Sequence, residues 1–444
     1  MSIRLIQAPG EPASLVVRGA RLLDPDAGID ETRDLVVRDG RIGGSAAGLE
    51  KIDGAGMLVA PGFVDPHVHL RTPGREDTED LATGTAAAAA GGFTAILAMP
   101  NTHPSTDSPA VLGSLIERAG LEARIPVGFL PAITVGQHGE ELSEQGEMAQ
   151  LGAAGFSDDG WPVANAAVMR RALQYQKLTG LPLVLHEEDP DLSGDGCVHE
   201  GPVATRLGLP GIPGVSEAVA VARDVLLAEY EGGRIHICHV SAKETVAEIR
   251  RAKERGIAVT AEVTPHHLLL THDELSSLDP ARHKMNPPLR AEEDRQLLIE
   301  ALLDGTIDCI ATDHAPHAQN EKEEAFEDAP FGVTGLETAF AACYTGLVES
   351  GLVPLDILIQ RLSGDPARAF DIPVPTLAEG AEANFSLIDV GSTWEVAATD
   401  FESRSTNSAF TGEALRGRVA LTLAGGKRAW SRIAGRVGEI SQNS

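Results

Sequence analysis

The sequence predicts an α/β fold: a (β/α)8 (TIM) barrel joined to a small β-sandwich domain composed of both termini. Three observations predict it. Short apolar runs alternate with helix-period segments about eight times through the middle of the chain, as successive parallel βα units require. Both ends instead carry Val-rich runs separated by Asp-Gly and Gly-Gly, the texture of short antiparallel strands. No glycine-rich phosphate fingerprint follows the first run of the middle region, which argues against an open doubly wound sheet.

Taken in order, residues 1–61 hold SLVVRGARLLDPDAG (14–28), DLVVRDGRIGG (34–44) and KIDGAGMLVAPG (51–62), which read as hairpins. The tail after Pro375 repeats this texture in NFSLIDV (384–390), RVALTLAGGKRAW (418–430) and WSRIAGRVG (430–438). The expected division is therefore 1–61 with 376–444 as the composite β domain, and 62–375 as the barrel. The eight barrel runs are GFVDPHVH (62–69), FTAILAMPN (93–101), IPVGFLPAIT (125–134), AAGFSDD (153–159), LPLVLH (181–186), IHICH (235–239), AVTAEVT (258–264) and IDCIATDH (307–314). Helical patterns lie between them, for example VMRRALQYQKLTG (168–180), SAKETVAEIRRAKERG (241–256) and EEDRQLLIEALLDG (292–305).

Composition bounds the function. The 444 residues carry 36 basic and 65 acidic side chains, a net charge of −29. Nucleic acid or an anionic membrane surface would require a basic face, so neither is expected as a partner. Four Cys in 444 residues do not make a disulfide framework and none form a CxxC pair, which points to a reducing, cytoplasmic setting. The opening MSIRLIQAPGEPA has no apolar core of the secretory kind. Leu81 to Pro100 is uncharged for 20 residues, but its Ala, Gly and Thr content and the Gly91-Gly92 break read as a small-residue helix running into a strand.

Chemistry in such a barrel sits at the carboxyl ends of the strands, where the polar residues of this chain recur. His67 and His69 close the first strand, and the strand period of 2 puts both imidazoles on one face. Asp158-Asp159 follow the fourth strand, His186 ends the fifth, His239 the sixth, and Asp313 the eighth. A lone His at any of these places would serve as a satisfied structural residue; the coincidence of all of them at one rim points to a metal. Nitrogen and oxygen ligands without thiolate suit Zn2+ with an open position, or two metals bridged by a carboxylate. Cys238 and His236 have strand parity opposite to His239 and are expected to point away, into the core.

PGFVDPHVHLRTPG, AMPNT, GFSDDG, GCVHEG, ICHVSAKE, AEVTPHHLLL, KMNPPLR and ATDHAPH, in this order, resemble the bacterial class I dihydroorotases of the amidohydrolase (metallo-dependent hydrolase) superfamily. The resemblance implies that His67, His69 and Asp313 hold one zinc, His186 and His239 a second, and that Asp159 bridges them where many superfamily members use a carboxylated lysine. It implies Arg71, Asn101, Asn286 and His317 as contacts to a carboxylated heterocycle, with backbone groups of Phe331 and Gly332 at the ring amide. The implied reaction interconverts L-dihydroorotate plus water with N-carbamoyl-L-aspartate, a step of pyrimidine synthesis. Asp313 would be ligand and general base, taking a proton from water and delivering it to the leaving amide nitrogen. The implied partners are that small-molecule substrate, a second copy of the chain in a homo-oligomer, and an associating aspartate transcarbamoylase.

Physical chemistry supports the Arg71 assignment, because a planar guanidinium two residues past His69 matches a ring carboxylate bidentately. The competing reading of Arg71 is an ion pair with Glu76 or Asp77. The acidic stretch AQNEKEEAFEDA (318–329) reads either as a solvated loop or as a flap over the mouth. Two other functions compete: a cyclic amidase of the dihydropyrimidinase, hydantoinase or allantoinase type, for which an Arg after HxHL is not expected, and a non-catalytic scaffold for the transcarbamoylase, which would lack metal ligands.

Overall fold

The apolar runs of the middle region become eight parallel strands closed into a barrel. The structure, a computed structural model, describes residues 3–275 and 281–433. The strands are Phe63–Val68, Phe93–Ala98, Val127–Phe129, Phe156–Ser157, Leu183–Leu185, Ile235–Ile237, Val259–Val263 and Cys309–Ile310. The first three form one parallel ladder and the last five another. Backbone bonds from Ala154 to Phe129 and from Ser157 to Pro131 join the ladders on one side. On the other side Val68 bridges His314 in parallel, and the His69 amide donates to the His314 carbonyl at 2.9 Å. Asp65 reinforces this closure: its carboxylate accepts from the Thr312 hydroxyl at 2.6 Å and from the His67 amide at 3.1 Å.

Alternation along each strand separates two apolar layers. Phe63, Ile96, Leu183, Leu185, Ile235, Ile237, Val259 and Val263 pack outward against the helices. Val64, Ala95, Leu97, Leu130, Val184 and Cys238 point inward, where Ala367, Ala369, Phe370 and Ile372 fill one end of the barrel. That end is closed by apolar contact, so the other end is left for chemistry. The three helical patterns form helices at Ala166–Thr179, Lys243–Glu254 and Glu292–Asp304. The uncharged stretch from Leu81 splits as expected, into a helix at Leu81–Ala90 and the strand Phe93–Ala98. No helix among the described residues is long and apolar enough to cross a membrane.

Strands from both ends of the chain share one eight-stranded sheet, in which Leu58–Pro61 lies between Leu15–Asp24 and Phe385–Glu395. Leu15–Asp24 and Ile29–Arg38 form the expected hairpin, as do Ala414–Ala424 and Lys427–Ser431 around Gly425-Gly426. The sheet curls back on itself where Ile42 and Ala381 exchange a backbone bond, so that Leu15, Val17, Leu35, Phe385, Leu387 and Leu421 share one core. KIDGAGMLVAPG departs from expectation. Glu50–Asp53 and Leu58–Pro61 do not pair with each other; each lies parallel to Leu15–Asp24. The cause is the bulge in that partner at Gly19, which leaves two separate edges to pair and turns the Gly54–Met57 segment into a jog rather than a hairpin loop. The last expected run, 430–438, falls largely outside the described residues.

Candidate metal centre

The first barrel strand delivers His67 and His69 to the open end of the barrel, with ring centroids 5.4 Å apart. His67 Nε2 lies 3.4 Å from Asp159 Oδ1 and 3.4 Å from Asp313 Oδ1; His69 Nε2 lies 3.1 Å from Asp313 Oδ1 and 3.5 Å from Asp159 Oδ2. On the other side of Asp159, His186 Nδ1 and His239 Nε2 approach its Oδ1 to 3.8 and 3.7 Å. Those two imidazole nitrogens are themselves 3.0 Å apart. All six side chains are buried. Asp159 thus sits between the pair His67–His69 and the pair His186–His239.

Strain accompanies this convergence. Asp313 and His239, with φ of 47° and 31°, are non-glycine residues in the left-handed region, and so is Arg71 at 55°. Such conformations cost of order 1–3 kcal/mol each and persist where the surroundings impose them. For His239 the twist has a readable consequence. It breaks the strand alternation after Ile237, so His239 turns to the mouth while Cys238 and His236 stay on the inward face. The expectation that Cys238 and His236 point away from the site is therefore corrected: both are buried, but directly beneath His67.

Between them stands Glu262, a residue the sequence reading passed over. Its Oε1 is 2.6 Å from His67 Nδ1 and its Oε2 3.0 Å from His236 Nε2, while His236 Nδ1 meets the Thr260 hydroxyl at 2.8 Å. A charged residue within the apolar run AVTAEVT was the signal available. Burial alone would raise the Glu262 carboxyl, but the imidazoles of His67 and His236 hold it down at about 2. For His67, burial opposes the charged form, yet the carboxylates of Asp159 and Glu262 outweigh it and raise its pKa well above the ordinary value. Asp313 and Asp159 are driven below the carboxylate range against burial, chiefly by His67. Three buried carboxylates around these imidazoles make a pocket of negative charge that calls for a cation.

A metal ion fits that demand. His67 Nε2 and Asp159 Oδ1 are fully buried and have no hydrogen-bond partner among the described residues, although each faces the other's cluster. His67, His69 and Asp313 form one group whose ligand atoms lie within 4.8 Å of one another, and His67, Asp159 and His239 form a second. The donors are nitrogen and oxygen, the set suited to a catalytic divalent metal with an open position.

Around this centre the remaining expected residues take up distinct places. Asn101 Oδ1 lies 2.7 Å from His69 Nδ1 and its Nδ2 donates to Asp159 at 3.2 Å, so this side chain braces two ligands. Asp158 supports from behind, accepting from the Ile133 and Thr134 amides; burial lifts its pKa to about 6. Asn286 donates to Glu188 at 2.8 Å, and Glu188 in turn meets His186 Nε2 at 3.0 Å. Arg71 makes no ion pair among the described residues; Glu76 pairs with Arg118 and Asp77 with Arg75. Its Nε donates to the Pro316 carbonyl at 3.2 Å and its Nη2 lies 3.4 Å from His317 Nε2. Burial, against the pull of Asp313, lowers its pKa to about 10, which leaves it charged at neutral pH.

His317 Nε2 meets the Phe331 carbonyl at 2.7 Å. The Gly332 amide donates to the Lys284 carbonyl at 3.0 Å, so it is committed to the protein and not free for a ring amide as expected. The acidic stretch 318–329 is neither a bare solvated loop nor unattached. It opens with a helix at Gln319–Lys322, and buried Lys322 donates to the carbonyls of Lys284, Pro330 and Gly332. Phe326 and Ala329 sink into a small core with Val198, Val203 and Ala281.

Residues 56–245 match the family model described as Dihydro-orotase-like. A protein of Anaeromyxobacter sp. (strain K) named Dihydroorotase is 48% identical over 423 residues, covering 93% of this chain and 97% of its own. One of Pelotomaculum thermopropionicum, also named Dihydroorotase, is 47% identical with the same coverages. The chain belongs to the dihydroorotase family. Among solved structures, an L-hydantoinase (dihydropyrimidinase) from Arthrobacter aurescens superposes with a TM-score of 0.82 at 26% identity, covering 94% of this chain and 95% of that one. A dihydropyrimidinase from Brevibacillus agri, at 22% identity and TM-score 0.80 with the same coverages, shares the fold. A dihydroorotase-family chain with this cluster is a metal-dependent hydrolase of cyclic amides.

Proposed function

We propose that this protein interconverts L-dihydroorotate plus water with N-carbamoyl-L-aspartate, using zinc held by His67, His69, Asp159, His186, His239 and Asp313. The observation that carries the reading is Arg71: a charged guanidinium without a carboxylate partner among the described residues, at the rim of the buried cluster. A half-buried cation with no ion pair among the described residues is costly unless an anionic ligand completes it, and dihydroorotate brings a ring carboxylate. His317 and Asn101 lie within reach of the same space. Amidases for uncharged rings have no use for that charge.

Zn2+ bound in the cluster supplies Lewis acidity and makes water a nucleophile at neutral pH. Asp313 takes the proton of the attacking water and returns it to the leaving amide nitrogen; the charge of His67 holds its pKa below the carboxylate range against burial, so it is ionised at neutral pH. Arg71 fixes the carboxylate, and Asn101 keeps His69 and Asp159 aimed at one point. The terminal strands and the barrel divide as 1–61 with 376–444 against 62–375 in this reading.

Assay of dihydroorotate beside dihydrouracil, hydantoin and allantoin tests the proposal. Dihydroorotate is expected to have the highest kcat/KM by orders of magnitude; preference for an uncharged ring would overturn it. Zinc content measured on the purified protein tests the metal. The reading extends to assembly and place: a homo-oligomer in the cytoplasm that also binds aspartate transcarbamoylase. Exposed Tyr175, Leu178, Leu226 and Tyr230 on neighbouring helices support an interface, and four buried, unpaired cysteines support a reducing compartment. Size exclusion of the protein alone and with the transcarbamoylase decides both associations.

A further inference from the structure

The connection between the strands Phe385–Glu395 and Ala414–Ala424 leaves the terminal sheet and crosses to the mouth of the barrel. There Asn407 spends its whole side-chain amide on main chain of two other loops. Its Oδ1 accepts from the His317 amide at 3.2 Å, and its Nδ2 donates to the carbonyls of Ala315 at 3.3 Å and Gly332 at 3.2 Å. Its own carbonyl accepts from the Thr334 amide at 3.2 Å. The two loops meet so closely that a Cβ on Gly332, whose φ is +123°, would stand 2.6 Å from the Ala315 Cβ. One loop carries His317, the other Phe331, whose carbonyl His317 contacts, and Arg71 approaches the same imidazole.

We propose that Asn407 is a positioning residue for substrate binding. By tying the main chain of His317 to that of Gly332, it sets the wall of the pocket that receives the anionic ring. The inference rests on the dihydroorotase reading above and extends it to a residue supplied by the far end of the chain. Asn407 touches no expected metal ligand, so its loss leaves the metal and its chemistry in place. What changes is where the imidazole of His317 and the Phe331 carbonyl stand relative to Arg71.

The test uses the full chain with Asn407→Ala and Asn407→Asp. Loss of these bonds is expected to raise KM for dihydroorotate about tenfold while kcat stays within about threefold. Binding of orotate, which carries the ring and carboxylate, should weaken in parallel. Binding of acetohydroxamate, which needs the metal alone, should not change. An unchanged KM overturns the proposal, and so does equal weakening of both inhibitors, the mark of a merely structural staple. Asn407→Asp keeps the shape and the acceptor but sets a negative oxygen against two carbonyls; it should move KM the same way, and it carries the test if Asn407→Ala does not fold. Arg404→Ala, which removes the surface contacts of that guanidinium with the Asp80 carboxylate and the Glu76 carbonyl, should leave KM unaltered. Wild-type protein inactive on dihydroorotate would overturn the functional reading itself, whereas an active wild type with an unmoved Asn407→Ala overturns this proposal alone.

Discussion

Glu262 Oε1 sits 2.6 Å from His67 Nδ1, at the floor of the cluster and on the far side of the imidazole from Asp159 and Asp313. With a metal in place of the second proton, a carboxylate at Nδ1 would keep the remaining proton there and leave Nε2 as the lone-pair donor, fixing both tautomer and ring orientation. Its second oxygen is held by His236, so the carboxylate cannot swing away. Glu262→Gln is expected to lower metal affinity about 10- to 100-fold, since an amide can present the wrong end and carries no charge. Competition with a chromophoric chelator measures this directly. Activity of the chelated variant should return at high added zinc; unaltered affinity would assign Glu262 to packing alone.

Asp313→Asn separates proton transfer from metal holding. The amide has an oxygen for a metal but cannot take a proton from water. General-base contributions of about 10²- to 10⁴-fold set the expected loss in kcat. The melting transition should stay near that of wild type, because the His69 contact can be kept by the amide oxygen. A variant retaining more than about a tenth of wild-type kcat would move the base elsewhere.

The barrel and the six-residue cluster were legible because both follow from period: helix repeats of 3.6 between short strands, and polar residues falling where each strand stops. His67, His186 and Asp313 needed nothing more, whereas position alone left Asp158 and Asp159 equal and only the family resemblance chose Asp159. Parity failed at His239, where a left-handed turn swings the side chain to the mouth while ordinary alternation keeps Cys238 and His236 inward. Glu262 was hidden for a different reason: one carboxylate in an apolar strand has no spacing partner to announce it. The parallel pairing of Glu50–Asp53 depends on a bulge in another strand. Asn407 lies 90 residues past His317, and only the crossing of the 396–413 connection brings them together.

Arg71 has no ion pair among the described residues, so its removal tests recognition with little cost in stability. Arg71→Met is expected to raise KM for dihydroorotate about 100-fold, the worth of two charge-assisted hydrogen bonds. Arg71→Lys should recover little of this, because a point charge lacks the planar fork. Thermal melting beside the kinetics completes the measurement. Equal KM values for Arg71→Met and wild type would return Arg71 to a structural role at the Pro316 carbonyl.

Lys322 ties the acidic stretch to the site loops through three carbonyls, and its titration gives that stretch a pH signature. Burial and the charge of Lys284 pull its pKa from the usual 10.5 down to about 7. In the unfolded chain the amine keeps its proton to about 10.5, so between pH 7 and 10 the unfolded state binds more protons than the folded one. Stability contributed by this group therefore rises with pH across that window, by at most about 1.4 kcal/mol per pH unit. Lys322→Met removes the titration. Urea unfolding at pH 7 and pH 9 is expected to show wild type gaining about 2 kcal/mol relative to the variant. Parallel pH profiles for the two proteins would mean that the folded lysine keeps its proton, and that its three carbonyl acceptors hold an ammonium rather than an amine.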